Sequence, residues 1–185
     1  MMGMAAAVLL SSCVKDTLYD TPHPDKGVVT ISLTGLSADD NYVLDMDGKV
    51  ADITGSPFTN PDLLNPGTHS MVIYNRAEGF TFDGRMARVN APDGKSRADG
   101  ASVIPLPGYL KTISQEITVT ADDTLRVNPV PQQRVRDLQL ELEVTQGRPE
   151  LIQSVTATLS GIAGIFDMEK GQTIGEPTST VFSFI

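Results

Sequence analysis

The side chains best suited to covalent or acid–base chemistry are few: one cysteine, Cys13, and two histidines, His23 and His69. A thiol or hydroxyl nucleophile needs a base beside it, and a histidine base needs a third group to orient it. Cys13 directly follows an apolar run, and His23 lies between Pro22 and Pro24, where nothing fixes a ring in place. His69 follows Pro66-Gly67-Thr68 at the start of a strand-like run. No Gly-x-Ser-x-Gly motif and no glycine-rich phosphate loop occurs in the sequence. Both histidines therefore read as solvated surface groups, and no enzyme activity is expected. The acidic cluster Asp39, Asp40, Asn41, Asp45 and Asp47 before Gly48 is a further candidate. Calcium takes about six to eight oxygens, and Asp-x-Asp-Gly forms part of a calcium loop. The closing Glu is missing, and Tyr42 to Met46 reads as a strand. The cluster is thus expected to be turn residues around a hairpin, with no metal and no cofactor.

Cys13 is better explained by what precedes it. Met1 to Ser12 carries no charge, and Ala5 to Leu10 is apolar throughout. A bilayer span takes roughly twenty residues, so this stretch fits the apolar core of a secretory signal peptide, although the usual basic start is absent. Leu10-Ser11-Ser12-Cys13 resembles a bacterial lipobox. The resemblance implies cleavage before Cys13 and diacylglycerol on its sulfur. Several acyl chains on one residue meet the requirement for more than one membrane signal. Residues 1–12 are then a lipoprotein signal peptide. Residues 13–27 are a lipidated flexible tether, because Pro22 and Pro24 disfavour helix and ladder and the remainder is mostly polar. Lys15-Asp16 resembles the surface-export signal of Bacteroidetes lipoproteins, with Thr17 where a second acid often stands. Asp16-Thr17-Leu18 and Asp123-Thr124-Leu125 resemble the Asp-Ser/Thr-apolar acceptor of O-glycosylation in that group, which makes Thr17 and Thr124 candidate acceptors.

The elements behind these residues read as β. Val29, Ile31 and Leu33 alternate with Thr30, Ser32 and Thr34. Asp47-Gly48 between Tyr42–Met46 and Lys49–Ile53 predicts a hairpin, as does Asp83-Gly84 between Phe80–Phe82 and Arg85–Val89. Ser70 to Tyr74 is another short strand. Ile117–Thr120, Asp122-Asp123 and Thr124–Val127 read as a third hairpin. Leu138, Leu140, Leu142 and Val144 alternate with Gln139, Glu141, Glu143 and Thr145, the cleanest half-buried strand pattern in the chain. Val155, Ala157 and Leu159 repeat the pattern, and Thr180 to Phe184 is a last strand. Helical periodicity is absent, with single turns expected at Asn60–Leu64 and Pro149–Gln153. Many short strands with Gly and Asp turns predict an all-β sandwich.

The chain of 185 residues and 19.8 kDa is long enough for one ordinary domain or two small ones. Net charge −9 argues against nucleic acid, which needs clustered Lys and Arg. A single cysteine excludes an intrachain disulfide framework and cysteine-rich metal sites. The proline-bearing stretch 128–133 predicts a boundary, giving an N-terminal β-sandwich over 28–131 and a partial second one over 132–185. The second unit holds too few strands to close, so further strands beyond Ile185 are expected.

The stretch from Cys13 through Lys15-Asp16, Leu18-Tyr19-Asp20-Thr21-Pro22-His23-Pro24-Asp25-Lys26-Gly27 and the strand from Val28 resembles the fimbrillin-like lipoproteins of Bacteroidetes, the FimB-type group of fimbrial anchor subunits and their relatives. Leu138 to Val144, followed by Ser154 to Gly164, is similar to the opening of that group's second domain. The resemblance implies transthyretin-like β-sandwiches, an outer-membrane lipoprotein exposed at the cell surface, and partnership with fimbrial subunits through sheet edges. A surface module binding glycans or host protein is the alternative. The absence of Trp disfavours a glycan platform.

Overall fold

The computed structural model describes residues 19–34, 41–93 and 102–184. The strands among them are β1 (Val28–Ile31), β2 (Tyr42–Met46), β3 (Lys49–Asp52), β4 (Phe58–Thr59), β5 (Gly67–Asn75), β6 (Phe80–Asp83) and β7 (Met86–Val89). They continue with β8 (Lys111–Val119), β9 (Thr124–Val127), β10 (Gln132–Gln133), β11 (Val155–Ile162), β12 (Ile165–Asp167), β13 (Gln172–Ile174) and β14 (Thr178–Phe184). Among the described residues the single helical element is a 3₁₀ turn at Pro149–Leu151, opened by its proline. The protein is all-β, as its alternating sequence predicts.

Three sheets lie in layers. A five-stranded sheet, ordered β10-β8-β5-β2-β3, forms the middle. One face packs on the three-stranded sheet β4-β1-β9 through Val29, Ile31, Leu44, Met71, Ile73 and Val119. The other packs on the four-stranded sheet β13-β12-β7-β6 through Val43, Val72, Tyr74, Ala87 and Met168. Successive residues of β2 and β5 thus serve opposite cores, as a side-chain period of two requires. Both faces are covered, so β2 is buried at every position. Each fully buried Leu, Ile or Met contributes roughly 1.5–3 kcal/mol of burial free energy. Tyr74 and Phe82 stack across the second interface with ring centroids 5.0 Å apart.

Local turn chemistry explains the hairpins. The β2–β3 loop is Asp47-Gly48, with φ of 52° and 85°. Two successive positive φ values define a type I′ turn, whose twist matches the strands. In the β6–β7 hairpin, Asp83 instead closes the strand opposite Met86, and Gly84-Arg85 forms the loop. Gly27 is required by close packing, because a Cβ there would lie 2.2 Å from Val119 Cγ1.

Several expectations differ from the structure. Strands β8 and β9 do not form a hairpin: β9 crosses to the first sheet and pairs in parallel with β1. The Asp122-Asp123 signal marks the turn, but local sequence does not encode which sheet the next strand joins. Asn60–Leu64 makes no helical turn, since Asn60 N–H donates to Val29 O and Leu64 bridges Gly27. Leu138–Thr145 belongs to no strand. Pairing also crosses the position of the expected 131/132 boundary: β12 and β13 join β7 and β6 in one sheet. The last part of the expected tether is held as well. Asp122 accepts hydrogen bonds from the N–H groups of Asp20 and Thr21 at 2.8 and 2.7 Å. The Asp20 N–H, with the Thr21 groups adding to it, keeps the Asp122 carboxyl below the usual carboxylate range.

Candidate functional site

The most unusual surface begins where the four-stranded sheet ends. Strand β11 pairs with β14 in a two-stranded sheet, and among the described residues no named strand takes its other edge. Its Val155, Ala157 and Leu159 are half-buried, whereas Thr156, Thr158 and Ser160 face solvent. Strand β14 is tied on its far side, where Thr180 bridges Val103 and its hydroxyl donates to Val103 O at 2.9 Å. A cavity of about 1180 Å³ opens between these elements, lined by Phe80, Val89, Leu138, Leu159, Ile165 and Phe182 among others.

Leu138–Thr145 leaves this rim. Leu138, Leu140, Leu142 and Val144 are 60%, 52%, 61% and 44% exposed, and the polar residues between them are exposed too. The segment starts at a fixed point, since Tyr109 Oη donates to Asp137 Oδ2 at 2.6 Å. It therefore has strand sequence but, among the described residues, no sheet neighbour and no core. A strand in that state can add to an edge: main-chain groups supply hydrogen bonds and alternate side chains supply specificity.

A second cluster links the layers. Asp45, on apolar β2, is buried; Arg85 NH2 donates to its Oδ1 at 2.7 Å. Arg85 also donates to Ser70 Oγ and to Glu169 Oε1, each at 2.7 Å. One guanidinium thus joins β2, β5 and the β12–β13 turn. Its bond to Asp45 raises the Arg85 pKa above an already high value, so the charge is permanent. Asp167 closes that turn by accepting from the N–H groups of Glu169 and Lys170. The Lys170 N–H is the main reason its carboxyl stays below the usual range.

The residues singled out from sequence fall into three groups. Leu10, Ser11, Ser12, Cys13, Lys15, Asp16, Thr17, Asp39 and Asp40 lie outside the described residues. Thr124 opens β9, half-buried, with its N–H on Asp123 Oδ1. Asp45 and Asp47 point to protein partners, Arg85 and His69. Among the described residues no three His, Cys, Asp or Glu side chains converge as a metal site. His23 is exposed as expected, but His69 is not a freely solvated group: its ring is clamped between Asp47 and Asn65. Sequence reading missed Arg85. Its signal was Asp45 itself, a lone charge within the apolar run Tyr42–Met46 that requires a buried counter-charge.

No family model and no curated protein sequence matches the chain. Among solved structures it resembles a candidate adhesin from Bacteroides ovatus, with a TM-score of 0.56 and 16% identity over 98% of this chain and 72% of that one. At this identity the likeness shows a shared β fold. Among the described residues no helix is long and apolar enough to cross a membrane.

Proposed function

We propose that this chain is a surface-exposed outer-membrane lipoprotein, anchored through diacylglycerol on Cys13, that serves as a fimbrial anchor or assembly subunit through β-strand edges. The observation that carries this reading is Leu138–Val144, an alternating strand sequence that is exposed and, among the described residues, pairs with no strand, while its first residue lines the same cavity as Leu159 of β11. Covering its apolar side chains is worth roughly 1.5–3 kcal/mol each, and the segment's edge hydrogen bonds add to that. The Bacteroides neighbour, described as a candidate adhesin, supports a role at the cell surface. The role requires no catalytic group, metal or cofactor; its partners are the membrane, through the lipid, and fimbrial subunits. The test is recovery of fimbriae from wild-type and Cys13→Ala cells. Fimbriae should shed into the medium from the mutant; fimbriae that stay cell-bound would overturn the anchor assignment.

A second reading, a surface module that binds host protein or glycan, is favoured by the neighbour's adhesin description and by two exposed side chains, Leu106 in the cavity lining and Tyr109. It predicts binding to host-cell surfaces by the soluble chain without fimbriae, and retention of that binding when Leu140 and Leu142 are both changed to Asp.

A further inference from the structure

His69 has a hydrogen-bonding environment that one protonation state satisfies. Its Nδ1 lies 2.5 Å from Asp47 Oδ2, and its Nε2 lies 2.8 Å from the backbone oxygen of Asn65. A carboxylate and a carbonyl both accept and neither donates. A neutral imidazole carries one N–H, so it leaves one of these contacts as a lone pair facing an oxygen. The imidazolium donates to both. The His69 side chain is 13% exposed and that of Asp47 44%, so the ring is mostly enclosed while its contacts reach the surface.

The two acceptors belong to different parts of the chain. Asp47 is the first residue of the β2–β3 turn, in the left-handed region at φ 52°. Its Oδ1 accepts from Ser70 N–H at 2.8 Å and its own N–H donates to Ser70 O at 2.9 Å. Asn65 lies in the loop before β5, and its side-chain oxygen accepts from Lys26 Nζ. We propose that His69 is a proton-operated latch: as imidazolium it ties the β2–β3 turn to the Asn65 loop, and on losing its proton it releases one of them. Because β3 is the end strand of the five-stranded sheet, the latch sets how firmly that edge is held.

The surrounding charges are consistent with this. Asp47 contacts the ring from the turn. Arg85, from the β6–β7 turn, acts on Asp47 and is itself held by Asp45 of β2 and by Glu169. On the neighbouring β8, Glu116 lies opposite Ser70. Lys26 binds Asn65, and Lys49 of β3 pairs with Asp62. The Asp47 hydrogen bond raises the His69 pKa above its ordinary 6.5, against the opposing effect of burial. Burial opposes ionisation of Asp47, but its bonds from His69 and Ser70 outweigh it and lower its pKa. A raised histidine pKa stabilises the fold fully below 6.5 and loses that contribution as pH rises through the folded value. The lowered Asp47 pKa contributes above 3.8 and is lost at more acid pH. The latch is therefore closed between these limits and opens on the alkaline side.

The test is an NMR titration of the histidine Cε1–H signals in the full chain, with His23→Gln used to assign them. His69 should titrate above 6.5, and Asp47→Asn, which keeps a residue suited to the left-handed turn, should move its pKa downward. The wild-type unfolding midpoint should fall as pH passes the His69 pKa, whereas His69→Gln should lack that step. A wild-type His69 pKa at or below 6.5, or one that Asp47→Asn leaves unchanged, would overturn the latch. If His69→Gln does not fold, the wild-type and Asp47→Asn titrations decide alone.

Discussion

β2 and the Leu138–Val144 segment show how little strand pattern alone determines. Leu138–Val144 alternates without a fault, yet its apolar side chains are exposed and, among the described residues, no strand pairs with it. β2 reads Tyr-Val-Leu-Asp-Met, does not alternate, and carries a charge in its middle, yet it is buried throughout. The difference lies in their neighbours. β2 has β3 on one side, β5 on the other, and a packed sheet against each face. Leu138–Val144 has none of these. Alternation specifies which face a strand would bury, and only a neighbour turns that preference into structure.

This contrast can be broken by mutation. The largest effect is expected from Asp45→Ala, which leaves Arg85 without its buried partner: about 3–5 kcal/mol of stability lost in denaturant titration. Leu44→Ala, from a fully buried position, should cost about 2–5 kcal/mol. In the turn that follows the same strand, Gly48→Ala should cost about 1–2 kcal/mol, since φ is 85° there and no atom lies near the new methyl group. Leu140→Ala should change stability by less than about 0.5 kcal/mol, because the side chain is half exposed and supports no core. A loss for Leu140→Ala as large as that for Leu44→Ala would mean that the segment already belongs to a folded sheet in solution. The paired change Leu140→Asp with Leu142→Asp sharpens the point: stability should persist while association with fimbriae is lost.

Much of the fold was legible because it is locally written. Asp47-Gly48 announced its turn through the positive φ that both residues tolerate, and Val29, Ile31 and Leu33 marked the buried face of β1. Short strands such as β4, β10, β12 and β13 were not legible, since two or three residues carry no period. The parallel pairing of β9 with β1 depends on residues far apart in sequence. The same limit hid the polar cluster. Asp45 was read with the turn residues of the hairpin, and only the register of β2, β5 and the β6–β7 turn brings Arg85 to it. His69 read as an exposed ring because Asp47 and Asn65 reach it through turns that sequence does not position. The lipobox residues were read from motif alone and lie outside the described structure.

Amide hydrogen exchange of the full chain, followed residue by residue with and without fimbriae sheared from the producing cells, tests the central claim most directly. Alone, β2 should be strongly protected and 138–145 should exchange at close to free-peptide rates. With fimbriae, protection should appear across 138–145 as its backbone gains ladder partners. Protection of 138–145 in the isolated chain, or none after fimbriae are added, would contradict the account.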